Sequence, residues 1–229
     1  MMRDDRLRHP SAVLAALWLA AVVVIAALRG ATGQPAPSGF ASSAEAVIDG
    51  ALWLLPASAL VAQGALPAVQ IALTAVLVYG VIRHLDGRVF WAVAITAHIG
   101  TTLVTDAGIG MLSLFDPADG TRIATVHDYG ISAIAAGCVG ALAVAGALGA
   151  VPRPRLAVGL GVAALLACVV LIPADAELAD VEHLVALLAG ATVALLALHH
   201  DGRAHRDALR TPRLPSLRRR PGGASSPLG

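Results

Sequence analysis

The chain has 229 residues, of which 57% are hydrophobic, 14% charged and only 3% aromatic, with a formal net charge of +1. Together with a positive mean hydropathy, this composition excludes an ordinary water-soluble domain. Two cysteines, Cys138 and Cys168, both inside apolar blocks, exclude a disulfide framework and read as small packing residues.

The apolar residues fall in blocks of about 18 to 23, the length that crosses ~30 Å of hydrocarbon at 1.5 Å per residue. Residues 1–10 form a short charged N-terminus with Arg3, Arg6 and Arg8. Residues 11–28 form the first apolar run. A signal peptide is the competing reading, but the run exceeds a ~7–15-residue signal core, which favours a retained helix. Residues 30–44, rich in Gly, Pro and Ser, read as loop. Residues 51–62 are apolar but brief and broken by Pro56, which fits an interfacial or re-entrant element better than a span.

The second span is residues 66–82, ending in the polar turn Arg83-His84-Leu85-Asp86-Gly87-Arg88. The third is 89–104, with His98 near its middle, and 105–126 reads as a loop containing Asp106, Asp116, Pro117, Asp119 and Gly120. The fourth span starts after His127-Asp128 and runs to Ala150. A basic break, Val151-Pro152-Arg153-Pro154-Arg155, precedes the fifth span at 156–172. An acidic turn at 175–180 leads into the sixth, which ends at Leu198. Residues 199–229 form an arginine-rich, disordered tail. The expected organisation is therefore an all-α membrane protein, with a six-helix transmembrane domain over 11–198 between two cytoplasmic termini.

Charge supports that count. Arginine supplies all sixteen basic residues, and six spans with the N-terminus inside place fourteen of them on the cytoplasmic side. Only Arg29 and Arg122 fall outside, alongside Glu45, Asp49, Asp116, Asp119, Asp175 and Glu177. A seventh span at 51–62 would invert every later loop.

Ionisable and polar residues inside spans are costly and by default mark function. The candidates are Gln70, His98, Ser132 and His183, with His127 and Asp128 at the membrane edge. Ser132 and His183 each lie about one helical turn inside spans that enter from the same side, so they are expected at equal depth. His98 is expected several ångströms deeper. A serine hydroxyl becomes nucleophilic when a histidine takes its proton. Gly130 is expected to let a substrate backbone approach, and the N–H groups at the helix start are candidate oxyanion donors. Below His183 come Ala186, Gly190 and Ala194, and below Ser132 come Ala136 and Gly140; these small faces allow close helix packing. In the bland reading, Ser132 bonds a carbonyl one turn back and His98 is an interhelical hydrogen bonder.

Gly130-Ile131-Ser132-Ala133 resembles the G-x-S-G motif of the rhomboid intramembrane proteases, with alanine at the last position. His183-Leu184-Val185-Ala186-Leu187-Leu188-Ala189-Gly190 resembles the family's sixth helix, where small residues follow the catalytic histidine three and seven positions on. The element with Trp53 and Pro56 is similar to the family's first outer loop. Tyr79-Gly80 to Gly87 is similar to the turn after its second helix, with Arg83 where many members have glutamate. The resemblance implies a six-helix rhomboid-like bundle in a bacterial plasma membrane. It implies a Ser132/His183 catalytic dyad, a transmembrane protein substrate and no metal or cofactor. Gly130, Gln70 and His98 are then the candidates for the substrate gap and oxyanion site. The family's second helix supplies histidine and asparagine for the oxyanion. This chain has no asparagine, so a catalytically silent relative that binds transmembrane helices is the alternative.

Other classes fit less well. A metal or haem site on His98, His127 and His183 requires ligands at one depth. A transporter requires spans broken at the midplane. The arginine tail has no stacking aromatics, which argues against nucleic acid and for contact with the bilayer.

Overall fold

The computed structural model describes residues 9–32, 40–63, 66–126, 130–175 and 178–210, and these are helical throughout most of their length. The helices are α1 (Pro10–Thr32), α2 (Ala44–Ile48), α3 (Leu54–Ser58), α4 (Pro67–His84), α5 (Gly87–Ile95), α6 (Thr101–Phe115), α7 (Pro117–Ala124), α8 (Ile131–Ala147), α9 (Pro154–Asp175) and α10 (Leu178–Arg210). A π-helical turn, Thr96–Gly100, joins α5 to α6 without a break, giving one helix of 29 residues. Among the described residues, four helices are long and apolar enough to cross a membrane: Pro10–Ala31, Pro67–His84, Gly87–Phe115 and Val181–His200. Two more, Ile131–Ala147 and the Pro154–Val169 part of α9, are apolar but shorter.

Two boundaries differ from the sequence expectation. Residues 105–126 are not a loop: α6 continues to Phe115 and α7 follows after one residue. Asp106, Asp116, Pro117, Asp119 and Gly120 suggested a loop, but a helix tolerates an isolated aspartate, and an isolated glycine at a cost of ~1 kcal/mol. The punctuation lies instead at Asp116, whose side chain accepts the Asp119 N–H at 3.1 Å, with Pro117 opening the next helix. Likewise the last helix runs past Leu198 to Arg210, so the first part of the basic tail is helical. Its remaining residues, 211–229, lie outside the described residues, as do His127 and Asp128.

The most extensive helix contact is between α8 and α10, and it is backbone on backbone. A Cβ placed on Gly190 would overlap the Gly137 carbonyl, and one on Gly140 would overlap that of Leu187. Lipid tails offer no hydrophobic drive between helices, so such close van der Waals packing is what joins them. α9 packs on the outer side of α8 in the same way, with a Cβ on Gly161 overlapping Ala143. The C-terminus of α8 closes with Gly149 at φ 71°, where Ala150 N–H donates to Ala145 O at 2.7 Å and Gly149 N–H to Gly146 O at 3.0 Å.

Helix α1 is pinned at both ends. The Trp91 indole N–H donates to Ser11 O at 2.9 Å, and Arg29 Nη1 donates to Ala62 O at 2.9 Å. Trp18 and Trp91 flank the fully buried Phe90 ring, with centroids 6.1 and 5.2 Å away. His84 and Arg153 line one cavity, so the α4–α5 and α8–α9 turns share an end of the bundle. The starts of α4 and α8 lie together at the other end, where Ile71 and Ile131 pack with Val22 and Ala62.

Replacing Gly190 by leucine drives a side chain into the α8 backbone and is expected to cost ~3 kcal/mol or more. Gly159→Leu, where a side chain meets open space, is expected to stay within about 0.5 kcal/mol of the wild type. Heat-induced aggregation of the detergent-solubilised variants measures both.

Candidate functional site

The polar groups cluster where α3, the π turn and the start of α8 converge. The π turn inserts an extra residue into the helix and rotates His98 inward, a common device at functional sites. Thr96 Oγ1 also bonds back into the preceding turn, donating to Ala92 O at 2.8 Å. The imidazole is 2% exposed, and its Nε2 lies 2.7 Å from Leu55 O and 3.0 Å from Ser58 Oγ. A carbonyl only accepts, so Nε2 carries the proton and donates. Ser58 Oγ in turn donates to Leu55 O at 3.1 Å and accepts from Ser42 Oγ at 3.5 Å. Ser42 and Ser58 are both fully buried.

This serine and histidine are therefore not a nucleophile and its base. The Nε2 facing Ser58 already holds a hydrogen, and the hydroxyl has no open approach. The group acts as a latch, tying the 40–63 segment to the long helix. It reaches α8 as well, because Gly130 N–H donates to Ser58 O at 3.3 Å.

Gly130 sits directly against the His98 ring, and a Cβ there would overlap Cε1, Nδ1 and Nε2. Its φ of −70° is ordinary, so glycine is required by close approach and not by backbone conformation. Two sequence expectations change here. The space over Gly130 holds the imidazole of His98 rather than a gap for a substrate backbone. His98 also touches the start of α8 rather than lying well beneath it, because its ring reaches across to Gly130 from the π turn.

Ser132 is the second residue of α8 and is partly buried, as is His183 on α10. Their relative height follows from the backbone contact below them. Gly137 lies against Ala186 O and Gly190. Ser132 is five residues above Gly137, ~7.5 Å, while His183 is three above Ala186 and seven above Gly190, a mean of ~7.5 Å. The helix register therefore puts the two positions within about one turn of each other in height. Gly130 at the start of α8 offers no side chain to cap its first turn. Gln70 is on the first turn of α4, with its Oε1 buried and no hydrogen-bond partner among the described residues.

Several polar residues at this level were not singled out from the sequence. Ser42 and Ser58 lie in stretches read as loop and interfacial element, where a serine carries no signal. Glu182, 4% exposed beside His183, and the buried Thr101, Thr102 and Thr105 were overlooked. The signal for Glu182 was present: an acidic residue in the first turns of an apolar span. Among the described residues no three His, Cys, Asp or Glu side chains form a group that could hold a metal ion.

Ser58→Ala removes one acceptor of the buried imidazole and is expected to destabilise the protein by ~1–2 kcal/mol. Gly130→Val is expected to be more severe, because it displaces the ring altogether; thermal unfolding of the purified variants gives the order. Compared with known proteins, the chain matches no family model, no curated protein and no solved structure.

Proposed function

We propose that this chain is a six-span membrane protein with an intramembrane serine hydrolase site of the rhomboid type, in which Ser132 is the nucleophile and His183 the base. The two shorter apolar helices, α8 and α9, complete the six spans. The basic turns at 83–88 and 151–155 face the cytoplasm with both termini, in a bacterial plasma membrane, as the arginine distribution favours. The observation that carries the reading is the packing of Gly137 and Gly140 against Ala186, Leu187 and Gly190. That contact brings the two helices to backbone distance, which supports a pairing of Ser132 with His183.

In the reaction, His183 takes the Ser132 proton as the hydroxyl oxygen attacks a peptide carbonyl in or beside a substrate's transmembrane segment. Backbone N–H groups of the first turn of α8 receive the oxyanion, a role in which each donor contributes a factor of ~10²–10³. The imidazolium then returns its proton to the leaving amine. Water, deprotonated by His183, releases the acyl group. Gln70 is the nearest candidate for the side-chain donor that asparagine provides in the rhomboid proteases.

A second reading, a non-catalytic protein that binds transmembrane helices, is favoured by one observation. The His98 ring fills the space over Gly130 that a substrate backbone would use. A fluorophosphonate probe separates the two. Labelling of the wild type that is lost in Ser132→Ala, and reduced at least a hundredfold in His183→Ala, is expected for the hydrolase. Labelling that survives Ser132→Ala, or none in any condition, leaves the helix-binding reading.

A further inference from the structure

At the opposite end of the bundle from Ser132, a cavity of about 480 Å³ opens between α4, α8 and α9. This is within the ~300–1,000 Å³ range of small-molecule sites. Its wall is apolar: Gly80 of α4, Leu142 of α8, and Leu156 and Leu160 of α9. Gly80 keeps it open, since even a methyl group there would come within 3.2 Å of Leu142. At one rim stand His84 and Arg153. Arg153 is exposed and directly precedes Pro154, the first residue of α9, so its guanidinium and the positive end of a 22-residue helix meet at the same mouth.

An apolar slot with a basic rim matches a molecule with an anionic head and a hydrocarbon tail. The slot faces the surface that the exposed Val76, Leu156 and Leu160 present to lipid. Arg83 and Arg88, in the adjoining turn, add to the positive field at this end. We propose that this cavity is a binding site for an anionic phospholipid, with one acyl chain between α4 and α9 and the phosphate on Arg153, His84 and the α9 N-terminus. A zwitterionic lipid carries a compensating ammonium and gains less from this rim. The site is independent of any chemistry at Ser132.

Native mass spectrometry of the full chain released from nanodiscs tests it. With equal phosphatidylglycerol and phosphatidylcholine of the same acyl chains, selective retention of phosphatidylglycerol is expected. Arg153→Gln should weaken that retention about fivefold, the worth of one basic residue at an anionic surface. Leu160→Trp should weaken it by filling the slot, with size-exclusion profiles confirming that the variant remains folded. Arg153 is exposed, so its replacement reports on the site without disturbing packing. Equal retention of the two lipids, retention unchanged in Arg153→Gln, or displacement of the lipid by excess inorganic phosphate would each overturn the proposal.

Discussion

The structure depends on the contact between α8 and α10, where glycine and alanine let two backbones touch. In water such a surface would gain little, because small side chains bury little apolar area. In lipid the comparison is different: neighbouring helices and acyl chains are equally apolar, and association is decided by how many atoms meet at van der Waals distance. Gly137 O against Gly190 and Leu187 O against Gly140 also set carbonyls on Cα–H groups, a weak attraction that recurs at helix interfaces. Once these backbones touch, the register of everything above and below them is determined. The relative height of positions 132 and 183 therefore follows from small residues further along the two helices.

The second constraint is the cost of polar groups away from water. An unbonded hydroxyl or imidazole in an apolar interior costs several kcal/mol, and the bundle meets this by concentrating its polar residues. Ser42, Ser58, Leu55 O and the Nε2 of His98 are joined in a single chain of hydrogen bonds. That chain is what fixes the short α3 against the long helix, in a region with little regular secondary structure of its own. It also makes glycine obligatory at position 130, because the imidazole needs the room.

Much of the fold is readable from residue order, and the reason is the solvent. Apolar runs of spanning length, separated by arginine turns, dictate where helices begin and end more strongly than propensity does in a soluble protein. The small-residue ladder at Ala186, Gly190 and Ala194 likewise announced its partner. What residue order did not show was the π turn at Thr96–Gly100. An extra residue in a helix leaves no mark in a hydropathy pattern, yet it decides where His98 points. Residues 105–115 were misread because glycine and aspartate count as loop signals in water. Inside a long apolar helix they need only be tolerated. Ser58 is a further case: its importance comes from three groups distant in sequence.

α8 itself is short for a helix in a bilayer. Its 17 residues extend ~25 Å, less than the ~30 Å of a hydrocarbon core. Nine of its residues are buried by its neighbours, so the longer helices around it bear the mismatch with lipid. At its N-terminus, as at any helix start, backbone N–H groups need acceptors from outside the helix. The Ser58 carbonyl takes one of them, from Gly130. A helix start held in place by a buried latch and backed by a second helix at backbone distance presents the positive end of its dipole at a defined place. An apolar medium strengthens the attraction of such an end for negative charge over what it would be in water.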